Sequence, residues 1–320
     1  MKTKFSFLFV VFLGLSNTFN TAYSQIAISN VAEIPKIKLG TLFVAMKDPN
    51  SIKDKEYVAV FIKNWTFSKI ECIKYSDLEK NIAINNSFLT IGASSSGIES
   101  VVGTSADNSK TNVFLELWTT NGNFVYDPKK RKHFNLNDKI QIARLELFTD
   151  NFASSSPSML YKMDFDAKGH IKNWGTGIIT NYIQMLTAYL NKAQEHASNT
   201  EIINKQEVQK LNTQTLFIPD YVLTKFNKST GDETKMFDEK EIFEDYKLGY
   251  KLISIADLNT KIVSDTTPFY YIIYIKSGND KYINVVNSIT GEIIYSAFTS
   301  QSYNFKSGDL KDLQKVVQKK

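Results

Sequence analysis

Two short stretches of the chain share one pattern: WTTNGNFVY at Trp118–Tyr126 and NSITGEIIY at Asn287–Tyr295. Each has mostly polar residues before a glycine, one polar residue after it, and then two apolar residues and a tyrosine. Glycine adopts positive φ angles without steric cost, so both stretches are typical of two β-strands joined by a tight turn. A similarity that extends further along the chain would indicate one structural unit used twice.

The similarity continues on both sides of the two glycines, Gly122 and Gly291, in unbroken order. The further matches are TLFV at 41–44 with TLFI at 215–218, SDLEKNI at 76–82 with ADLNTKI at 256–262, NSFLTIG at 86–92 with TPFYYII at 267–273, and Phe134-Asn135-Leu136 with Tyr303-Asn304-Phe305. Only loop lengths change the spacing between them. Collinear matches of this extent favour an internal duplication over coincidence.

Secondary structure follows from residue types and periodicity in each copy. In the first copy we predict strands at 41–46, 67–73, 87–91, 112–118 and 123–126, and helices at 51–64, at 77–82 and from Asn137 or Asp138 to Phe148. Ser76 and Glu79 are spaced as a capping box for the second of these helices. In the second copy we predict strands at 215–218, 250–255, 269–276, 281–287 and 292–296, and helices at 239–246, 257–262 and 308–319.

Between the copies, MDFDAKGHI at Met163–Ile171 predicts a hairpin, and the apolar stripe of 176–196 predicts a long amphipathic helix that docks one half on the other. The fold class is therefore α/β (α+β), with two tandem duplicated α/β sandwich repeats joined by a hairpin and a long amphipathic helix. The expected boundaries are 1–24 for a signal peptide, 25–152 for the first repeat, 153–198 for the connection and 199–320 for the second repeat.

The element order in each copy, strand, helix, strand, helix, strand pair and helix, resembles the thioredoxin-like fold with an added strand. That family carries its redox chemistry on a CxxC motif at the start of its first helix. The matching positions here are Asp48-Pro49-Asn50-Ser51 and Pro219-Asp220-Tyr221-Val222, which contain no cysteine. The resemblance therefore implies a fold without disulfide exchange through that motif. The whole chain also resembles secreted bacterial proteins, which implies no particular activity.

The first residues combine Lys2 and Lys4, an apolar run from Phe5 to Leu15 and small residues before Gln25, as in a cleaved secretory signal. We therefore expect an exported protein, in the periplasm or outside the cell. The apolar run is shorter than the ~20 residues that cross a bilayer, so no transmembrane segment is expected after cleavage. Cleavage removes two lysines and no acid, so the net charge falls from +5 to +3, which does not indicate a nucleic-acid partner.

Motifs for catalysis, metal binding or cofactor binding are missing from the sequence. The histidines His133, His170 and His196 are not at metal-ligand spacing, and GASSSG at 92–97 lacks the second glycine of a nucleophile elbow. Asp164 begins a stretch that starts like a calcium loop but lacks its later oxygen ligands. We therefore expect no cofactor and no metal. The single cysteine, Cys72, lies in an apolar strand and is predicted to be buried and unreactive.

Two features of the first copy are absent from the second. The first is a long serine- and glycine-rich loop at 93–110, which is either functional or disordered. The second is the basic run KKRKH, which we interpret as a candidate anion-binding site made of Lys129, Lys130, Arg131, Lys132 and His133.

These observations favour an exported, non-enzymatic binding or interaction protein of the cell envelope, whose partner is an unknown envelope protein or a polyanion. One alternative is an envelope hydrolase whose site assembles in space, for instance from Asp220 or Asp257 with a serine. Another is a structural or assembly component, which would expose an apolar surface on the 176–196 helix.

Overall fold

The computed structural model describes residues 25–96, 110–124, 126–127, 129, 134, 138–165, 169–197, 201–227 and 232–319. The strands are β1 Ile26–Ile28, β2 Thr41–Met46, β3 Lys69–Lys74, β4 Ser87–Ser96, β5 Lys110–Thr120, β6 Lys139–Glu146, β7 Ile202–Ile203, β8 Leu216–Pro219, β9 Thr224–Phe226, β10 Glu233–Met236, β11 Tyr250–Ile253, β12 Tyr270–Ser277, β13 Asp280–Asn287 and β14 Ile293–Thr299. The α-helices are α1 Ile34–Leu39, α2 Ile52–Asn64, α3 Asn151–Ser155, α4 Thr176–Lys192, α5 Lys205–Val208, α6 Glu239–Phe243, α7 Ile255–Ser264 and α8 Ser307–Gln318. Short 3₁₀ helices include Val31–Glu33, Tyr75–Asn81, Pro157–Lys162, Gln209–Asn212 and Asp220–Leu223.

Twelve of these strands form two six-stranded mixed sheets with the same topology. The first sheet has the order β1-β6-β5-β4-β2-β3 and the second has the order β7-β14-β13-β12-β8-β11. In both sheets, adjacent strands among the first four of that order are antiparallel. The last two strands lie parallel to their neighbours. The mixed α/β class with two similar units is therefore confirmed. Each unit begins earlier than the sequence matches indicated, because β1 and β7 complete the two sheets.

Strand register gives the residue equivalences between the repeats. Leu42 in β2 lies opposite Ser87, and its counterpart Leu216 in β8 lies opposite Tyr270. A β-bulge then interrupts the pairing of β5 with β6 and of β13 with β14 at the same place, between Leu117 and Trp118 and between Val285 and Val286. A shared bulge is strong evidence for duplication, since bulges are specific local features of a sheet.

This register corrects the sequence alignment around the two glycines. Trp118 is equivalent to Val286, so the match that opened the sequence analysis is displaced by one residue. Both glycines still lie between equivalent strands with positive φ, 85° at Gly122 and 69° at Gly291. The tight turn forms only at Gly291, because β6 begins at Lys139 and the connection in the first repeat is much longer. The short strand expected at 123–126 is not formed in its described residues.

Three further local predictions were wrong. The helix expected from 138 to 148 is strand β6, whose backbone is paired by β5 on one side and β1 on the other. The hairpin expected at Met163–Ile171 is not formed in its described residues: Tyr161 lies in a 3₁₀ helix, 163–165 and 169–170 are not in a strand, and Ile171 makes a single bridge with Thr149. Residues 166–168 lie outside the described part. The capping box expected at Ser76 is also absent: the segment is a 3₁₀ helix without a side-chain cap.

The long helix α4 lies between the repeats and contacts α2 of the first and α7 of the second. It is buried over most of its circumference, with Ile179, Tyr182 and Ile183 completely inaccessible. Apolar side chains of both repeats join around it in one continuous core. The docking role expected for this helix is therefore confirmed. Among the described residues, none of the helices combines the length and the apolar character needed to cross a membrane.

Candidate functional site

The two faces of the first sheet are covered differently. Side chains alternate between the faces of a strand, so Leu42 and Leu89 point into the main core, whereas Phe43, Phe88 and Trp118 form a separate apolar cluster on the other face. Beside this second cluster is a cleft of about 620 Å³, lined among others by Tyr75, Glu79, Thr90, Glu116, Trp118, Lys139 and Tyr161. We call it the aromatic cleft. Its volume lies in the range of small-ligand sites.

Stacked aromatic rings form the walls of the aromatic cleft. Tyr75 stacks on Tyr161 with ring centroids 3.8 Å apart, and Trp118 stacks on Phe88 at 4.5 Å and on Phe134 at 5.2 Å. These rings come from strands, from a 3₁₀ helix and from the connection between the repeats. The walls therefore exist only in the folded chain.

Tyr161 is held in place by the free edge of β4. Because β2 pairs with β4 only from Ser87 to Leu89, the backbone groups of Ile91 lie beyond the paired part of this edge. The Tyr161 hydroxyl donates to the Ile91 carbonyl oxygen at 2.9 Å and accepts from the Ile91 N–H. A single side chain thus satisfies both backbone groups and fixes one wall of the cleft.

The floor of the cleft carries a buried ion pair. Glu116 is only 4% exposed, and its carboxylate accepts hydrogen bonds from Lys139, from Gln141 Nε2 at 3.0 Å and from Thr90 Oγ1 at 3.3 Å. The Lys139 ammonium also lies 5.3 Å from the centroid of the Trp118 ring, within the range of a cation–π contact. The result is a carboxylate and an ammonium placed side by side against an aromatic face.

Gly92 lets Phe114 and Glu116 pack directly against the backbone of β4. A Cβ atom on Gly92 would lie 2.5 Å from Phe114 Cε2 and 2.6 Å from Glu116 Oε1, so no larger residue fits without displacing them.

The tyrosines of the wall stay neutral over a wide pH range. Burial raises the pKa of Tyr75, with smaller contributions from Glu79 and Glu116, and burial raises the pKa of Tyr161 still further.

The same face of the second sheet is filled. By register and by sequence match, Glu79 is equivalent to Asn259, Glu116 to Asn284 and Lys139 to Gly291. All three counterparts are smaller or uncharged.

Helix α4 lies across these counterparts. Asn259 accepts from the Ile178 N–H at 2.9 Å and donates to the Trp174 carbonyl at 3.0 Å, and Tyr271 donates to Asn181 Oδ1 at 2.8 Å. A Cβ atom on Gly291 would overlap the Asn181 carbonyl oxygen. In the first repeat Glu79 also accepts a backbone N–H, from Phe134 at 3.0 Å. In the described part of that face, Leu78 and Tyr161 of the short 3₁₀ helices Tyr75–Asn81 and Pro157–Lys162 pack there, where the second repeat has the long helix α4.

The anion-binding site predicted from sequence is only marginally described. Lys129 is exposed, and its backbone N–H donates to Asp127 Oδ1 at 2.9 Å, while Lys130, Arg131, Lys132 and His133 lie outside the described residues. In the loop expected at 93–110, residues 93–96 extend β4 and Lys110 begins β5, and residues 97–109 lie outside the described part.

The carboxylates named for a hydrolase are separate from the aromatic cleft. Asp220 and Asp257 are both exposed, and Asp257 accepts a hydrogen bond from Ser254 Oγ at 2.7 Å at the start of α7, where Ser254 is the N-cap. Partial burial raises the pKa of Asp220, with a smaller contribution from Asp257. Within the described residues, no group of three or more His, Cys, Asp or Glu side chains is placed to hold a metal ion.

The residues of the cleft were missed at the sequence level. One signal was present: FLELW at 114–118 places Glu116 inside an otherwise apolar strand, and a buried carboxylate in such a setting needs partners. The partners themselves come from distant segments, so the sequence could not supply them.

Comparison with protein-family models, with curated proteins and with solved structures finds no match for this chain.

Proposed function

We propose that the protein is an exported, non-enzymatic binding protein of the cell envelope, and that the aromatic cleft is its ligand site. The observation that carries this proposal is the difference between two equivalent faces. In the second repeat the face is closed by α4, whereas in the first repeat it leaves a cleft of about 620 Å³ with aromatic walls. The fold is therefore able to close this face, and the described residues of the first repeat leave a cleft there.

The composition of the cleft supports binding of a small molecule. Ligand sites are typically concave and apolar, with a few polar groups that fix orientation. Here the rings of Tyr75, Tyr161 and Trp118 supply the apolar walls, and the Glu116–Lys139 pair supplies the polar groups. The Glu116 carboxylate already accepts three hydrogen bonds within the protein, one of them from Lys139, which favours a recognition role over use as a free base.

We infer export from the signal-like residues 1–24, and mass spectrometry of the recovered protein tests it. Protein recovered from the envelope or medium of a secreting bacterial host should begin at Gln25. Recovery of the uncleaved chain from the cytoplasm alone would contradict export without bearing on the cleft.

Binding is tested with N-phenyl-1-naphthylamine, a neutral aromatic dye whose fluorescence rises in apolar surroundings. Ser76 is exposed at the mouth of the cleft, so Ser76→Trp should fill it and weaken dye binding at least about tenfold. The matched control is Ala256→Trp, the equivalent position of the second repeat, which lines a different groove between α2 and α7.

The control should bind the dye as the unmodified protein does, with one site per chain. Circular dichroism of both variants checks that they are folded. Dye binding that survives Ser76→Trp, or that is lost only in Ala256→Trp, would overturn the assignment of the site.

A further inference from the structure

One wall of the aromatic cleft offers a stacking platform. The Tyr75 ring is covered on one face by Tyr161 at 3.8 Å, yet the residue is 47% exposed and lines the cleft. Its accessible surface is therefore the other face and the edge of the ring. A flat apolar surface presented to solvent favours a ligand with a flat apolar face of its own.

The Glu116–Lys139 pair is not required by the fold. In the second repeat its positions are held by Asn284 and Gly291, and the sheet has the same register and the same bulge. A buried ion pair often stabilises a protein no better than an apolar replacement, so stability does not explain its presence. A functional role is the remaining physical reason to keep it.

The geometry of the pair defines the polar groups that it can recognise. The ammonium of Lys139 donates hydrogen bonds, the carboxylate of Glu116 accepts them, and the two groups are in direct contact. Adjacent donor and acceptor groups match two neighbouring hydroxyls, each of which both donates and accepts. Because the charges of the pair cancel, a neutral ligand enters the cleft without leaving a buried charge unpaired.

We infer that the aromatic cleft takes a neutral saccharide, with the apolar face of one sugar ring against Tyr75 and neighbouring hydroxyls on the Glu116–Lys139 pair. This inference rests on the proposed function and narrows its ligand to one chemical class. A cleft of about 620 Å³ has room for a short oligosaccharide.

The probes are maltotriose, cellotriose and chitotriose, added to the complex of the protein with N-phenyl-1-naphthylamine. At least one trisaccharide should displace the dye at concentrations up to about 10 mM, and calorimetry should give the same affinity directly. If the dye binds in the cleft and none of the three displaces it, the saccharide inference fails while the binding function stands. If the dye does not bind in the cleft, the proposed function fails with it.

Two variants test the recognition itself. Tyr75→Ala removes the platform, and the double substitution Glu116→Gln with Lys139→Met removes both charges while keeping the volume. Each should weaken saccharide binding about tenfold or more, and the double variant should still bind the dye. A matched control is another largely buried pair, Lys281 with Asp309 in the second repeat, changed to Lys281→Met with Asp309→Asn.

The control should leave saccharide binding unchanged, because Lys281 and Asp309 are not among the residues that line the cleft. Saccharide affinity that is unaltered in both folded cleft variants would place the sugar elsewhere and overturn the inference. Loss of affinity in the control as well as in the cleft variants would attribute the effect to stability and overturn it equally.

Discussion

The second repeat closes one face of its sheet with a helix, and the first repeat leaves the equivalent face partly open. Where the backbone of α4 approaches the second sheet, the side chains are small or neutral, as at Gly291, Asn259 and Asn284. At the equivalent positions of the first repeat, Lys139, Glu79 and Glu116 are long and charged. The comparison shows that one sheet topology can either carry a docked helix or leave a cleft in its described residues, depending on a few side chains.

Alkaline pH should produce the largest difference between the repeats in what their equivalent residues contribute to stability. Burial raises the pKa of Tyr271 and Tyr274 far above the ordinary value of 10.0, whereas the equivalent residues of the first repeat, Phe88 and Ile91, do not ionise. Since the folded-state pKa exceeds that of the unfolded chain, the contribution is complete below pH 10.0 and is lost progressively as the pH rises beyond it. Urea midpoints measured against pH should fall steeply in that range.

The variant Tyr271→Phe should make this decline shallower, because one buried phenol no longer ionises. A stability that stays constant well above pH 10.0 would show that these tyrosines are not buried as described.

The two glycines provide the next test. Gly291→Ala should lower the free energy of unfolding by about 3–5 kcal/mol, since the new Cβ adds overlap with the backbone of α4 to a strained positive φ. Among the described residues, a Cβ atom at Gly122 meets Ile84 alone, with Cγ1 at 3.5 Å and Cδ1 at 3.8 Å, so Gly122→Ala should cost only the ~1–2 kcal/mol of the left-handed conformation. Chemical denaturation measures both, and equal losses would contradict the account of the docking face.

Substitutions at the equivalent positions Asn259 and Glu79 should give a smaller difference in stability. Asn259→Ala removes both hydrogen bonds to the start of α4 and should cost about 1–3 kcal/mol, because the α4 N–H and the Trp174 carbonyl lose their partners in a buried setting. Glu79→Ala removes the bond from Phe134 at the rim of an open cleft and should cost less than about 1 kcal/mol. A larger loss for Glu79→Ala would show that the first repeat depends on its covering segment as the second depends on α4.

Cys72 gives the smallest effect, a difference in rate. It lies in the edge strand β3 and is partly buried, where burial, with a smaller contribution from Glu71, raises the pKa of its thiol to about 12. Reaction with a maleimide at neutral pH should therefore be at least about tenfold slower in the native protein than in the denatured protein. Equal rates would show that the strand edge leaves the thiol accessible and unperturbed.

The duplication and most elements could be predicted from the sequence because they depend on local patterns. Strand β6 could not, since the bulge that skips Ile142 breaks the alternation of a strand, and the spacing of Ile140, Ala143 and Leu147 then fits a helix. The connection after Gly122 is much longer than the turn at Gly291, so matching the two glycines displaced the alignment there by one residue.

The aromatic cleft depends on contacts between distant parts of the chain. Tyr161 meets Ile91 across 70 residues, and Lys139 reaches Glu116 across 23. Periodicity indicates which face a side chain occupies but not which distant segment lies against it. The exposure of Lys129 could be predicted, and the affinity of the basic run for polyanions stays a prediction.

The most direct test of the central claim is a crystal structure of the protein with N-phenyl-1-naphthylamine. The account predicts the dye in the aromatic cleft, between Tyr75 and the Glu116–Lys139 pair, while α4 lies against Tyr271 on the equivalent face of the second sheet. Dye bound in the groove between α2 and α7, or a first sheet whose face is filled by its own chain, would contradict it.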